Sequence, residues 1–175
     1  MAQETTLSLS TVTAPLNAPI EKVNIAEWLL NLADKEYQRC SSAHIAAGST
    51  HTDDGRPMSI NVETIGNALM IQHYVAEVHT PSYCKMVSIS DSITSAGRSK
   101  AKVTWELRAE KVDDETCLYS NHIHAEAIDE TLAFFKEHNV NFKDAAAARQ
   151  AASDAHNHEE TPLFAKSIER HALSR

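Results

Sequence analysis

The stretch KVTWELRAE, residues 102–110, alternates without a break, with Val103, Trp105, Leu107 and Ala109 on one side and Lys102, Thr104, Glu106, Arg108 and Glu110 on the other. A period of two separates side chains onto opposite faces only in an extended strand, and one wet face marks an antiparallel sheet. Working outward, residues 43–125 keep this period between turn-forming groups at Asp53-Asp54-Gly55, Gly66-Asn67, Thr80-Pro81-Ser82, Ser95-Ala96-Gly97 and Asp113-Asp114. Five such turns predict six strands joined as a meander. A further strand precedes them, because residues 5–14, TTLSLSTVTA, set Leu7, Leu9 and Thr11 against small polar residues until Pro15 ends the run.

Helical spacing occupies the rest. In residues 24–32, NIAEWLLNL, Asn24 and Glu27 form a capping-box-like start, and Ile25, Trp28, Leu29 and Leu32 share a face. Residues 34–40, DKEYQRC, read as a short second helix. Beyond Ala125, Ile128, Leu132 and Phe135 recur at helical spacing, and residues 139–141 interrupt it. Asn141 is a suitable N-cap for the Ala-rich stretch that follows, and Thr161-Pro162 reads as the cap and first turn of another helix, LFAKSIERHAL. Residues 126–175 are therefore expected to be helical, and residues 1–175 to form a single domain.

Composition bounds the function. Of 175 residues, 42% are hydrophobic and 23% charged, with four Gly and five Pro, the balance of a globular protein. A formal net charge of −8 and the absence of any Lys/Arg run argue against nucleic acid or an anionic membrane surface as partner. The N-terminal segment has no basic stretch followed by an apolar run, and nowhere do about eighteen apolar residues follow one another, so neither a signal peptide nor a membrane span is expected, and the location is expected to be cytoplasmic. Cys40, Cys84 and Cys117 are widely spaced and never paired as CxxC, which suits reduced, packed thiols.

Strand parity assigns faces. It predicts Met58, Ile60 and Val62 inward with Asn61 and Glu63 outward, and Val87, Ile89 and Ile93 inward with Asp91 beside them. In residues 117–125, Tyr119, Ile123 and Ala125 make the better apolar face and carry Asn121 with them, leaving Ser120, His122 and His124 outside. Residues 68–79 are apolar on both sides, so either His73 or the pair Gln72 and Tyr74 points inward.

A strand, two short helices, six meandering strands and a C-terminal helix form the order of the helix-grip fold. With "APIEKV" (residues 18–23) after the first strand and "KVTWELRAEKVDDETCLYSNHI" (residues 102–123) as late strands, the chain resembles the START-like (SRPBCC) superfamily of polyketide cyclases and birch-pollen-allergen relatives. The resemblance implies an α+β fold, a curved seven-stranded antiparallel sheet around a C-terminal helix, with an apolar cavity between them for a hydrophobic or aromatic small molecule. About fifty residues follow the last strand, where one gripping helix suffices, so TPLFAKSIERHAL is expected to be an additional helical segment that covers the cavity or forms a homodimer contact.

The candidate chemistry follows from these faces. Asp91, Tyr74 and His73 are the candidate acid–base groups, since a buried carboxylate with a raised pKa acts as a general base. Trp105, Tyr119, Asn121, Ile123, Gln72, Ile89 and Trp28 are the candidate ligand contacts, a few polar groups among apolar walls. Ten histidines raise a metal-dependent hydrolase or lyase as the alternative, through His122, His124 and Glu126 meeting His73, Glu77 or His79, or through His156 and His158 with Glu159 and Glu160. Neither group matches HExxH or a Cys/His zinc signature, and parity turns His122 and His124 to solvent, so no metal or cofactor is expected. No Gly-rich phosphate loop, GxSxG or Cys-His nucleophile pair occurs. The leading expectation is a small-molecule binder with cyclase- or isomerase-like acid–base activity, and a non-catalytic carrier or dimerising module is the third alternative.

Overall fold

A computed structural model describes residues 4–174. Seven antiparallel strands, β1 (Thr6–Leu16), β2 (His44–His51), β3 (Pro57–Ile65), β4 (Ala68–His79), β5 (Tyr83–Thr94), β6 (Gly97–Lys111) and β7 (Cys117–Glu126), form one sheet in the order β1-β7-β6-β5-β4-β3-β2. Helices α1 (Ile25–Leu30) and α2 (Asp34–Gln38) link β1 to β2, while α3 (Asp129–Glu137) and α4 (Phe142–Leu173) follow β7. Every expected turn falls between two strands. The break at residues 139–141 is also observed, with Asn139 at φ 53° and the Asn141 side chain accepting from the Lys143 and Asp144 amides at the start of α4.

Small side chains let α4 lie against the sheet. On β1 the inward residues are Ser8, Ser10 and Ala14, not Leu9 and Thr11; Leu9 is 51% exposed. Ser8 Oγ meets Ser153 Oγ at 3.0 Å, and Asn157 donates to Ser10 Oγ at 3.1 Å. A branched side chain at either serine would hold the helix off. Because β1 is an edge strand, one row of its backbone groups lacks a strand partner, and Gln150 serves both the amide (2.8 Å) and the carbonyl (2.9 Å) of Leu9.

The helix α4 is continuous through Pro162, so Thr161-Pro162 opens no new helix. Proline removes one i→i−4 bond, to residue 158, and at an exposed position water serves the freed carbonyl. Thr161 is buried instead and donates to Asn157 Oδ1 at 2.7 Å. The segment 163–173 thus prolongs the long helix, and Phe164 and Ile168 drive it into a core with Leu16, Ile25, Leu29, Met86, Leu107 and Tyr119. Cys40, Cys84 and Cys117 are unpaired and buried, and burial pushes the Cys40 and Cys84 thiols up to about 12, as befits packed, unreactive sulfur. Among the described residues no helix is long and apolar enough to cross a membrane.

Two strands turn the opposite face inward from the one parity predicts. On β3, Ser59, Asn61 and Glu63 are buried, and Met58, Ile60 and Val62 lie on the outer side. On β5, Cys84, Met86, Ser88 and Ser90 point in, and Val87 and Ile89 point out, Ile89 being 46% exposed. The apolar rule fails because the inner face of β3 holds polar groups that find partners on three other elements, so their burial is compensated. Asp91 shares the outer side with Ile89 and is buried there by Arg98, whose Nε and Nη2 both lie 2.9 Å from Asp91 Oδ1. For β4, left open by periodicity, Gln72 and Tyr74 point inward and His73 outward.

Candidate functional site at a buried histidine–glutamate cluster

Four ionisable side chains converge beneath α4. His44 opens β2 and is the cross-strand partner of Glu63 on β3, so the two stand side by side on the inner face. His156 and Glu160 lie one turn apart on α4 and face them. His44 Nε2 is 3.1 Å from Glu160 Oε2 and 3.5 Å from Glu63 Oε2. His156 Nε2 is 3.1 Å from Glu63 Oε2 and 3.2 Å from Glu160 Oε2. All four residues are buried, and one ligating atom from each falls within 4.8 Å of the others.

A surrounding ring of contacts fixes each member. The His44 ring stacks on Tyr37 with centroids 3.7 Å apart and planes 4° off parallel, and its Nδ1 lies 2.7 Å from the Tyr37 carbonyl. That carbonyl requires Nδ1–H, which directs Nε2 to the carboxylates. Tyr37 OH donates to Glu63 Oε2 at 3.0 Å, and Asn121 donates to Glu160 Oε1 at 3.0 Å. Asn121 is itself held by Trp105 Nε1, which donates to its Oδ1 at 2.7 Å. Ser41 Oγ reaches His156 Nδ1 at 3.4 Å and donates to Glu159 at 3.1 Å.

The electrostatics follow from burial and proximity. Burial alone would raise Glu160, but His156 and His44 overcome it and hold the carboxylate down at about 2. Glu63 is likewise lowered against the effect of burial, chiefly by His156. Burial works against the His156 cation, yet Glu160 and Glu63 push that imidazole up to about 11. Tyr37 is raised well above its usual range by burial and by both carboxylate charges, so it remains a donor. The cluster therefore holds two carboxylates and a cationic imidazole out of water.

The inner space bordered by this cluster is small and mixed in character. Asn61, Glu63, Gln72 and Glu160 meet Tyr37, Tyr74, Trp105, Ile123 and Phe164 around a cavity of about 10 Å³. That is room for about one water, where the resemblance implied an apolar ligand-sized hollow. Of the residues expected at the site, the structure brings together Tyr74, Gln72, Trp105, Asn121, Ile123, His156 and Glu160. Tyr119 is fully buried nearby in the core, with its hydroxyl unpartnered. Trp28 is core as well, edge-on to Phe164 and donating to Ser167 Oγ at 3.0 Å, away from the cavity.

Others lie elsewhere. Asp91, His73 and Ile89 face the outer side of the sheet, so none of them reaches the cavity. His122 and His124 are on the outer side of β7 as parity predicts, with Nδ1 of His122 at 2.7 Å from Thr11 Oγ1 and Nε2 of His124 at 3.3 Å from Thr6 Oγ1. Glu77 and His79 are exposed on β4, His158 is exposed on α4, and Glu159 accepts from the Ser42 amide at 2.9 Å. Sequence reasoning missed His44, Glu63 and Tyr37. The one available signal was the i,i+4 spacing of His156 and Glu160, which puts them on one helix face.

Comparison with known proteins fits this architecture. No family model matches the chain, and no curated protein matches it. Among solved structures, the Zhui aromatase/cyclase from Streptomyces sp. R1128 superposes with a TM-score of 0.66 at 11% identity, covering 93% of each chain. The chain has the START-like helix-grip fold. A START superfamily protein from Mycobacterium smegmatis (TM-score 0.54, 11% identity, 95% of this chain and 97% of that one) shares the helix-grip architecture. So does a norcoclaurine synthase from Thalictrum flavum (TM-score 0.53, 11% identity, 99% and 98%). At such identities the helix grip is what these proteins have in common with the chain, and the chemistry must be argued from its own residues.

Proposed function

We propose that this helix-grip protein binds a small molecule between the inner face of its sheet and α4, and acts on it by acid–base chemistry. The observation that carries this reading is that a cavity walled by Trp105, Phe164, Tyr74 and Ile123 is bordered by two ionised, buried carboxylates, Glu63 and Glu160. Apolar walls with a few convergent polar groups and perturbed ionisable residues are the general form of a small-molecule site. The ligand's apolar or aromatic body would rest on the ring walls, and a polar head would replace the single water-sized volume beside Asn61, Gln72 and the carboxylates. The snug fit means that a ligand larger than this head enters only with movement of the ring walls.

In this reading Glu63 or Glu160 accepts a proton from the ligand once the incoming polar head separates it from His156, whose charge otherwise keeps both carboxylates weakly basic. The same carboxyl group returns the proton at another atom, as isomerisation of a carbonyl compound requires. Asn61 and Gln72 orient the head. Native mass spectrometry of the purified protein, followed by Trp fluorescence titration with aromatic carbonyl compounds, tests the proposal. A co-purified or titrating ligand whose affinity falls about tenfold in Gln72→Leu supports it, a loss of about 1.4 kcal/mol. A folded protein that carries and binds none of these compounds overturns it.

A further inference from the structure

We propose that His44, Glu63, His156 and Glu160 hold one divalent first-row transition-metal ion, zinc foremost, between the β2–β3 edge of the sheet and α4. The inference takes the side chains of the acid–base reading as ligands in place of free proton-transfer groups, and depends on no organic ligand. A tetrahedral ion with N and O ligands at about 2.0–2.1 Å sets those ligands about 3.3 Å apart. The four N···O separations here are 3.1, 3.1, 3.2 and 3.5 Å. They close a ring in which imidazole nitrogens and carboxylate oxygens alternate, and one ligating atom from each residue lies within 4.8 Å of the others.

A second observation concerns the direction of the groups. His44 is committed through Nδ1 to the Tyr37 carbonyl at 2.7 Å, so the nitrogen turned to the two carboxylates is Nε2, the one free to ligate an ion in place of the proton it otherwise shares with Glu160. A third is outer support of the kind that orients metal ligands: Tyr37 OH on Glu63, Asn121 on Glu160 and Ser41 beside Nδ1 of His156. The two histidines and two carboxylates form a donor set in which imidazole favours zinc, iron or nickel over magnesium and calcium.

Elemental analysis of protein purified without added metal, and titration of chelator-stripped protein with Zn²⁺ and with Co²⁺, test the assignment. One ion per chain is expected, with the visible absorption of tetrahedral Co²⁺. His44→Gln and Glu160→Gln are each expected to weaken binding about 100-fold or more, whereas His122→Ala and His124→Ala titrate as the parent does. Should the cluster variants not fold, which circular dichroism reports, the parent titration still decides. Folded parent protein that takes up neither ion overturns the inference, as does binding abolished by His122→Ala or His124→Ala and kept in His44→Gln. Metal-free protein that binds aromatic carbonyl compounds sinks the metal site and leaves the acid–base reading standing, whereas metal-loaded protein that binds none of those compounds does the opposite.

Discussion

Two pairs of histidines occupy opposite sides of the same sheet. His122 and His124 stand two residues apart on the outer face of β7, each beside a threonine hydroxyl of β1 and partly open to solvent. His44 and His156 are far apart in sequence, yet both Nε2 atoms meet the same two buried carboxylates. Close spacing along a strand gives only a shared direction. Convergence needs a second and third element, and burial determines what a charge there costs.

The sharpest way to break the contrast is to remove one partner on each side. Glu160→Ala leaves His44, His156 and Asn121 facing a void, and the expected loss is about 3–5 kcal/mol by urea unfolding, the usual consequence of stranding a buried charge. A loss below about 1 kcal/mol would show that the cluster is wet and the contrast false.

Next in expected size is the pH dependence of the metal-free protein. Glu160 lies below its ordinary 4.5, so its contribution is present above that value and fades as pH falls toward about 2. His156 lies above its ordinary 6.5, so its contribution is complete below 6.5 and is lost as pH rises toward about 11. The pair is therefore fully stabilising between pH 4.5 and 6.5. The groups facing it are Glu63, His44, the Tyr37 hydroxyl and, at the rim, Glu159, with the buried Arg149 guanidinium acting on Glu63 from farther along α4. Melting curves across pH should fall on both sides of that window in the parent protein, and Glu160→Gln should flatten the acid side.

A smaller effect is expected of Tyr37→Phe, which keeps the ring stacked on His44 but removes the donor to Glu63, at about 1–3 kcal/mol. Smallest is His122→Ala, expected within about 0.5 kcal/mol, because its threonine contact lies at the surface and water replaces it. Should His122→Ala cost as much as Tyr37→Phe, exposure is not what separates the two pairs.

Much of the fold was legible because its signals are local. Gly66 takes φ 61° in the β3–β4 turn, and an added Cβ would stand 3.2 Å from Ala152 Cβ, so the turn residue and the helix approach agree. The Val103 to Ala109 alternation faces inward as written, since a sheet under a helix needs one apolar face there. The site was only half legible. Asn121 and Trp105 follow from parity, Tyr74 and Gln72 stood as one of two alternatives to His73 that only the structure resolves, and Asn61 and Glu63 were turned outward because polarity alone cannot reveal a partner. Asp91 was expected inside on the strength of its isoleucine neighbours, but Ile89 itself is on the outer face.

The sequence by itself determined seven antiparallel strands, the helical C-terminal part and the outward turn of His122 and His124, all consequences of periods and turns within a dozen residues. Only the tertiary structure decided that β3 buries its glutamate, that α4 runs unbroken through Pro162, and that His44 and His156 meet. Burying a charge is unfavourable or harmless depending on what stands opposite it, and what stands opposite Glu63 comes from α2, β2 and α4, residues 37, 44 and 156 of the chain.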